Sequence, residues 1–220
     1  VHLLPVESKI GVETAFGQIL PYKMRFCVKV CGGDLSISSS LEQGMATAIL
    51  GGGCFWCTEA VYKQVNGVTA VESGYTGGQA DNPTYEQICT GTTGHAEVVK
   101  LSFDPEAVSY RALLEIFFTI HDPTTLNRQG NDVGTQYRSV IYYESPEQLD
   151  TARQVIAEMA LVWDAPIVTE LSPVAAYFTA EAYHQNYFEN HPLQGYCAFI
   201  VAPKVAKFRK LFTERARQPL

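Results

Sequence analysis

Cys54 and Cys57 stand in Gly51-Gly-Gly-Cys-Phe-Trp-Cys57, where glycines release a short apolar run into a stretch of helical composition. At a helix start the first backbone N–H groups lack intrahelical acceptors and the macrodipole is positive. A thiol at Cys54 is therefore expected to ionise below its ordinary pKa of about 8.5 and to act as a nucleophile. Phe55 and Trp56 beside it supply apolar surface for a small pocket or for core packing. Cys57 leaves two other chemistries open, a thioredoxin-like dithiol and half of a zinc site completed by Cys27 and Cys31. The dithiol reading leaves Glu97 and Cys197 without roles, and the zinc reading lacks glycine-flanked knuckles around Cys27 and Cys31. Ordinary burial of both thiols is the remaining possibility.

A candidate acid follows. Thr90-Gly-Thr-Thr-Gly-His-Ala-Glu97 leads into an alternating run in which Glu97, Val99, Leu101 and Phe103 share one face. A carboxyl on that apolar face loses water, its pKa rises, and it becomes a proton donor near neutrality; a strand-end glutamate that reaches solvent is the alternative. His121-Asp-Pro-Thr124 and Asn131-Asp-Val-Gly-Thr-Gln-Tyr-Arg138 form a polar loop whose glycine and asparagine can present Asp132 and Tyr137 together. Cys197 lies in Pro192-Leu-Gln-Gly-Tyr-Cys197, where a mobile segment could carry a second thiol to the first, or where a small side chain is simply buried.

The elements that must position these residues alternate between strand and helix. Ala46 to Leu50 reads as a strand broken by Gly51-Gly-Gly53, and Cys54 to Val65 as a helix. Val68 to Ser73 is a second strand, Gly74 to Pro83 a long loop, and Glu97 to Phe103 the clearest strand. Ser109 caps a helix carrying Tyr110, Leu113, Leu114, Phe117 and His121. Ser145-Pro-Glu-Gln148 opens another helix with a cap, an N1 proline and a capping-box glutamine, its stripe running from Leu149 through Ala152, Ile156 and Met159 to Trp163. Strands are expected at Arg138 to Tyr143 and Ile167 to Glu170, and an amphipathic docking helix from Lys204 to Arg215. The class is mixed α/β. Residues 1–45 lack sustained periodicity and end in a small polar stretch, so they are expected to be an extension and linker, with residues 46–220 as the catalytic domain.

Composition sets the outer bounds. The 220 residues are 46% hydrophobic and 18% charged, enough apolar material for a folded core. Sixteen Lys and Arg against 23 Asp and Glu give a formal charge of -7, which opposes binding to nucleic acid. No apolar run reaches the roughly 18 residues of a membrane span. Val1 to Val30 lack a basic start and apolar h-region, so the expected compartment is the cytoplasm, where six cysteines are thiols, ligands or redox catalysts and not a disulfide scaffold.

Gly53-Cys-Phe-Trp-Cys57, Gly74-Tyr-Thr-Gly-Gly78, Thr93-Gly-His-Ala-Glu97, His121-Asp-Pro-Thr124, Gln136-Tyr-Arg-Ser139 and Tyr183-His-Gln185 occur here in one order, and with them the chain from Ala48 to Lys210 resembles peptide methionine sulfoxide reductases of the A type. The resemblance implies a two-layer α/β sandwich with a ferredoxin-like core and much coil. It implies that Cys54 is the nucleophile, Glu97 the acid, and Phe55 and Trp56 the pocket for the substrate methyl group. Tyr85 and Tyr137 would hydrogen-bond the sulfoxide oxygen, Asp132 would contact the main-chain amide of the oxidised methionine, and Cys197 would resolve the oxidised Cys54 as a disulfide. The implied substrate is the S epimer of methionine sulfoxide, free or in proteins, the implied reductant is thioredoxin, and the implied state is a monomer without cofactor or metal. No cysteine follows Cys197, so the relay is expected to be short, and Cys27 and Cys31 receive no role. A peroxide-consuming thiol enzyme would use the same two cysteines with little dependence on Phe55 and Trp56. A zinc-stabilised interaction module would use Cys27, Cys31, Cys54 and Cys57 structurally.

Overall fold

The computed structural model describes residues 44–218, so the expected extension over residues 1–45, with Cys27 and Cys31, lies outside the described residues except for Gly44 and Met45. The elements are β1 (Ala46–Gly52), α1 (Phe55–Tyr62), β2 (Val68–Thr76), α2 (Tyr85–Cys89), β3 (Ala96–Phe103) and α3 (Tyr110–Ile120). They continue with a hairpin of β4 (Arg128–Gln129) and β5 (Asp132–Val133), β6 (Ser139–Tyr143), α4 (Pro146–Met159), β7 (Glu170–Pro173), β8 (Tyr177–Thr179), α5 (Tyr187–Asn190) and α6 (Ala202–Leu211). Single helical turns occupy Thr135–Tyr137, Ala182–His184 and Cys197–Val201, the last of them a π turn. No described helix is long and apolar enough to cross a membrane.

The main sheet runs β7-β6-β1-β3-β2-β8. Strand β1 lies antiparallel between β3 and β6, β2 is antiparallel to β3, and only β7 joins in parallel, beside β6. Alternation sorts the strand side chains. Leu50, Val99, Leu101 and Ile141 face a core built with Val61 and Tyr62 of α1, Leu113, Leu114 and Phe117 of α3, and Ala152 and Val155 of α4. Ile49, Ala96, Val98, Val140 and Tyr142 form a smaller cluster with Tyr177 on the other side.

Local chemistry explains where elements start. Ser109 Oγ accepts from Ala112 N at 3.1 Å, and the apolar stripe of α3 follows at once. Ser145 caps α4 through Gln148 N at 3.3 Å, with Pro146 at the first helical position. The Gln148 side chain departs from the expected capping box, because its Oε1 accepts from Glu144 N at 2.9 Å and its Nε2 donates to Thr47 O at 2.8 Å, tying α4 to β1. A complete capping box occurs at α2, where Thr84 and Gln87 bond reciprocally, although the sequence reading left that segment unassigned.

Several boundaries differ from expectation for tertiary reasons. Strand β1 continues through Gly51 and Gly52, since a Cβ on Gly51 would lie 2.9 Å from Glu97 O and 2.8 Å from Val140 Cγ1; the glycine permits close pairing and does not end it. Strand β2 runs on to Thr76 because β3 and β8 both pair with it there. The strand expected at Ile167 to Glu170 forms three residues later, where Val140 pairs with Glu170, while Val168 N donates to Pro123 O at 2.8 Å. Helix α1 stops at Tyr62, α4 stops before Trp163, and α6 begins and ends earlier than its charge pattern suggested, with Phe208 fully buried. Strand β8 was not anticipated; it is three residues long and too short for a periodicity to show.

Gly53 makes the turn into α1 with φ +91, and a Cβ there would lie 2.5 Å from Gln129 Cγ. Gly53→Ala is therefore expected to cost about 1–3 kcal/mol through backbone strain and overlap. Gly44→Ala has nothing within 4 Å and is expected to stay within about 0.5 kcal/mol of the parent. Urea unfolding of both variants measures the difference, and equal midpoints would remove the steric account of the turn.

Candidate active site

The candidate residues Cys54 and Glu97 converge because β1 and β3 are neighbours. Strand β1 delivers Cys54 through the Gly53 turn to the N-cap of α1, and β3 delivers Glu97 opposite Tyr75 of β2. Glu97 is only 2% exposed, and its Oε2 accepts from Phe55 N at 3.1 Å, so the carboxyl satisfies the first orphan donor of α1. Burial pushes the Glu97 carboxyl up to about 8, against the Phe55 N–H that lowers it, with Asp132 and Cys57 adding repulsion. At neutral pH it is mostly a neutral acid.

Cys54 behaves differently from expectation. Its thiol is pushed up, first by burial, then by a hydrogen bond with Cys57 and by the charge of Glu97; the Trp56 backbone N–H is the opposing influence. The dipole of a helix only eight residues long does not outweigh desolvation of a thiolate. Cys57 moves the other way, to about 7, because it accepts that hydrogen bond, against burial and with help from Lys204. The proton of the pair resides on Cys54.

Aromatic rings surround the thiols. Phe55 is 1% exposed and packs 5.7 Å from Tyr75 and 5.0 Å from His184, centroid to centroid. Trp56 stacks on Tyr187 at 3.7 Å with the planes 3° apart, meets the Tyr196 edge at 5.9 Å, and donates from Nε1 to His184 Nδ1 at 3.1 Å. Tyr85 opens α2, its backbone N–H donating to Glu181 Oε1 at 2.8 Å and its ring 4.4 Å from His184. Glu181 also accepts from Tyr75 Oη at 2.9 Å, so one carboxylate ties α2 to β2. Burial raises both the Tyr85 and the Tyr137 hydroxyls, and the charge of Glu97 adds to it, which keeps them protonated as donors. Asp132, in β5, accepts from Tyr196 Oη at 2.6 Å, and Tyr196 is joined in sequence to Cys197.

Cys197 is fully buried at the start of the π turn, with its N–H donating to Gln194 Oε1 at 3.1 Å, so the segment expected to be mobile is folded against α1. Two other signals turn out to be scaffolding. His121 bonds Phe117 O at 2.6 Å and Ser139 Oγ at 2.8 Å, and burial lowers it to about 4, keeping it neutral. His95 accepts from Gly78 N at 3.0 Å and donates to Ala80 O at 2.8 Å, pinning the glycine-rich loop.

A family model for peptide methionine sulfoxide reductase matches residues 46–216. The chain belongs to the peptide methionine sulfoxide reductase family. It is an oxidoreductase that reduces methionine sulfoxide. Relatives include the peptide methionine sulfoxide reductase MsrA of Ralstonia nicotianae, 56% identical over 79% of this chain and 94% of the relative. That of Saccharolobus solfataricus is also 56% identical, over 79% of this chain and 98% of the relative. Among solved structures, methionine sulfoxide reductase A of Corynebacterium diphtheriae superposes with a TM-score of 0.65 at 39% identity, covering 71% of this chain and 79% of that one. Reduced Mxr1 of Saccharomyces cerevisiae gives 0.65 at 34% identity, covering 70% and 89%.

Sequence reasoning met Cys57 only as half of a dithiol or zinc site and His184 only inside a motif, and it did not place Tyr196, Glu181 and Tyr187 around Cys54 and Glu97. For Cys57 the signal was available, since positions i and i+3 lie on one side of a helix. Glu181 and Tyr187 are joined to the site only by the tertiary fold.

The raised Glu97 carboxyl has a stability consequence. Its folded pKa of about 8 lies above the ordinary carboxyl value of 4.5, so the folded state keeps a proton that the unfolded chain releases, and stability falls as pH rises from about 4.5 to about 8. Glu97→Gln removes this dependence and is expected to gain stability relative to the parent across that window. Denaturant unfolding at pH 5 and pH 8 measures it, and parallel profiles would mean that Glu97 is ionised at neutrality.

Proposed function

We propose that this reductase acts on the S epimer of methionine sulfoxide, free or in proteins, with Cys54 as nucleophile and Glu97 as proton donor. The observation that carries the reading is the shared helix terminus, where the Glu97 carboxyl accepts from Phe55 N at 3.1 Å, the residue next to Cys54. A sulfoxide sulfur becomes electrophilic when its oxygen is protonated or strongly hydrogen-bonded. Glu97 gives the proton, and Tyr85 and Tyr137 bond the oxygen. Cys54 sulfur attacks the sulfoxide sulfur as its own proton passes to the Glu97 carboxylate. The sulfur–sulfur bond so formed then breaks as the oxygen, with its proton, passes from the methionine sulfur to the Cys54 sulfur, so methionine leaves as the thioether and Cys54 becomes a sulfenic acid. The net change is one thiol and one sulfoxide giving one sulfenic acid and one thioether. Phe55 and Trp56 receive the methyl group, and Asp132 the substrate amide.

Cys197 completes recycling through a disulfide that an external dithiol reduces, and thioredoxin is the reductant we assign. We take residues 46–220 as the catalytic unit and residues 1–45 as an extension, supported by the family match over residues 46–216. The succession β1-α1-β2-β3-α3-β6 with spatial order β6-β1-β3-β2 supports a ferredoxin-like two-layer sandwich. A monomer in a reducing cytoplasm fits the four free thiols among the described residues.

The direct test incubates the reduced protein with each sulfoxide epimer and quantifies methionine. The S epimer is expected to convert, the R epimer to remain, and Cys54→Ser to lose conversion while staying folded. Glu97→Gln is expected to slow the single-turnover step by roughly 10²–10⁴-fold. Conversion by Cys54→Ser, or equal use of both epimers, would overturn the assignment.

A further inference from the structure

A buried carboxyl that the reaction leaves unused stands beside the site. Glu59 lies three residues beyond Trp56 on α1, so the two share one side of the helix, and it is only 1% exposed. Its Oε1 accepts from Asn186 N at 2.7 Å. Asn186 is the N-cap of α5 with left-handed backbone, φ 57 and ψ 31, and Tyr187 follows it as the first residue of that helix. A left-handed residue ahead of a helical one turns successive N–H groups to one side and makes an anion-binding concavity. Glu59 fills it. Burial raises its carboxyl above the ordinary value, while the Asn186 N–H, the charge of Lys63 and the Tyr187 N–H oppose that rise and Glu189 adds to it. Lys63, the C-cap of α1, takes the other side of the same turn, its Nζ donating to Asn186 Oδ1 and pairing with Glu189. The residue before the turn is fixed separately, since the Gln185 side chain bonds the Ser73 N–H and carbonyl of β2 at 3.0 and 2.9 Å. These contacts return to the helix they left. Trp56 stacks on Tyr187, Tyr187 is set by Asn186, and Asn186 is held by Glu59 on the helix that carries Trp56.

We propose that Glu59, with Lys63, is a positioning residue that sets the size of the alkyl pocket by locking Tyr187 behind Trp56. The proposal rests on the reading of Phe55 and Trp56 as that pocket. An indole covered at 3.7 Å on one face cannot swing back to admit a larger group, and its other constraint, Nε1 donating to His184 Nδ1 at 3.1 Å, acts only in the plane of the ring. Loss of the Glu59 charge frees the turn, Tyr187 withdraws, and the wall gains room. A methyl substituent then loses contacts while an ethyl substituent gains space. One methylene is worth roughly 10–200-fold in a fitted apolar pocket, so discrimination between these two groups is the sensitive readout. Glu59 gives and takes no proton in the reaction and acts through Tyr187.

The test measures kcat/KM for the S epimers of methionine sulfoxide and of its ethyl homologue, and reads Trp56 emission in a Trp163→Phe background, where Trp56 is the only tryptophan. Glu59→Gln is expected to lower the methyl-over-ethyl ratio by about threefold or more, with KM for methionine sulfoxide raised and the Trp56 emission shifted from the parent's. Tyr187→Ala is expected to do the same, and Glu59→Gln added to it to cause no further change, because the carboxylate acts only through that ring. Lys63→Met cuts the second hold without entering the buried layer. It is expected to shift both readouts in the same direction by a smaller factor, and it decides the matter if Glu59→Gln fails to fold. A folded Glu59→Gln protein with the parent's ratio and emission, or a full extra loss in the Tyr187→Ala background, would overturn the proposal. Trp56→Ala with the parent's ratio would instead remove the pocket reading beneath it, so the two failures are distinguishable.

Discussion

The structure depends on one contact, a buried carboxyl group accepting the first free N–H of a helix. Glu97 can be buried because β3 alternates in register with β1 and β2, and that register turns Glu97 with Val99, Leu101 and Phe103 toward the helical layer. An ionised carboxyl in such a place is costly, and one backbone N–H offsets only part of that cost. The group resolves the conflict by holding its proton. The same contact fixes the start of α1 relative to the sheet, so Glu97 and Cys54 are placed by one element boundary and not by two flexible side chains.

The thiols follow a related logic. Desolvation suppresses a thiolate at Cys54, and the neighbouring Cys57 takes up the hydrogen bond that the helix terminus was expected to supply. A thiol that keeps its proton is a poor target for adventitious oxidants, since oxidation proceeds through the thiolate. In the reaction proposed above, the Cys54 proton replaces the one that Glu97 gives to the sulfoxide oxygen, which couples attack on sulfur to protonation of oxygen.

Much of this was legible in the sequence. Leu113, Leu114 and Phe117 announced α3, Ser145-Pro146 announced α4, and the alternation from Glu97 to Phe103 put the carboxyl on the core face. These signals are local and periodic, so one segment suffices to read them. What failed was non-local. Gly51 and Gly52 look like chain breakers until Val140 and the Glu97 carbonyl are seen pressed against the first and Phe117 and His121 against the second. The position of β7 is set by a partner strand far away in sequence, and His121, which sequence reading grouped with chemistry, is kept neutral by burial while Phe117 and Ser139 bond its ring. The Cys54 thiol was misjudged because helix dipole and burial oppose each other, and only the fold decides which is larger.

The burial of Glu97 at 2% and Cys54 at 8% exposure has a further consequence for polypeptide substrates. With Cys54 and Glu97 in the roles proposed above, a sulfoxide must extend beyond its own protein's surface to reach them. An oxidised methionine packed in a folded domain becomes reachable only in the fraction of molecules that open locally there, and its apparent affinity falls by that fraction. Damage that loosens its surroundings exposes itself for reduction, whereas oxidised residues still held in a stable core are passed over. Selection among lesions is thus governed by the conformational fluctuations of the damaged protein and needs no recognition of its identity.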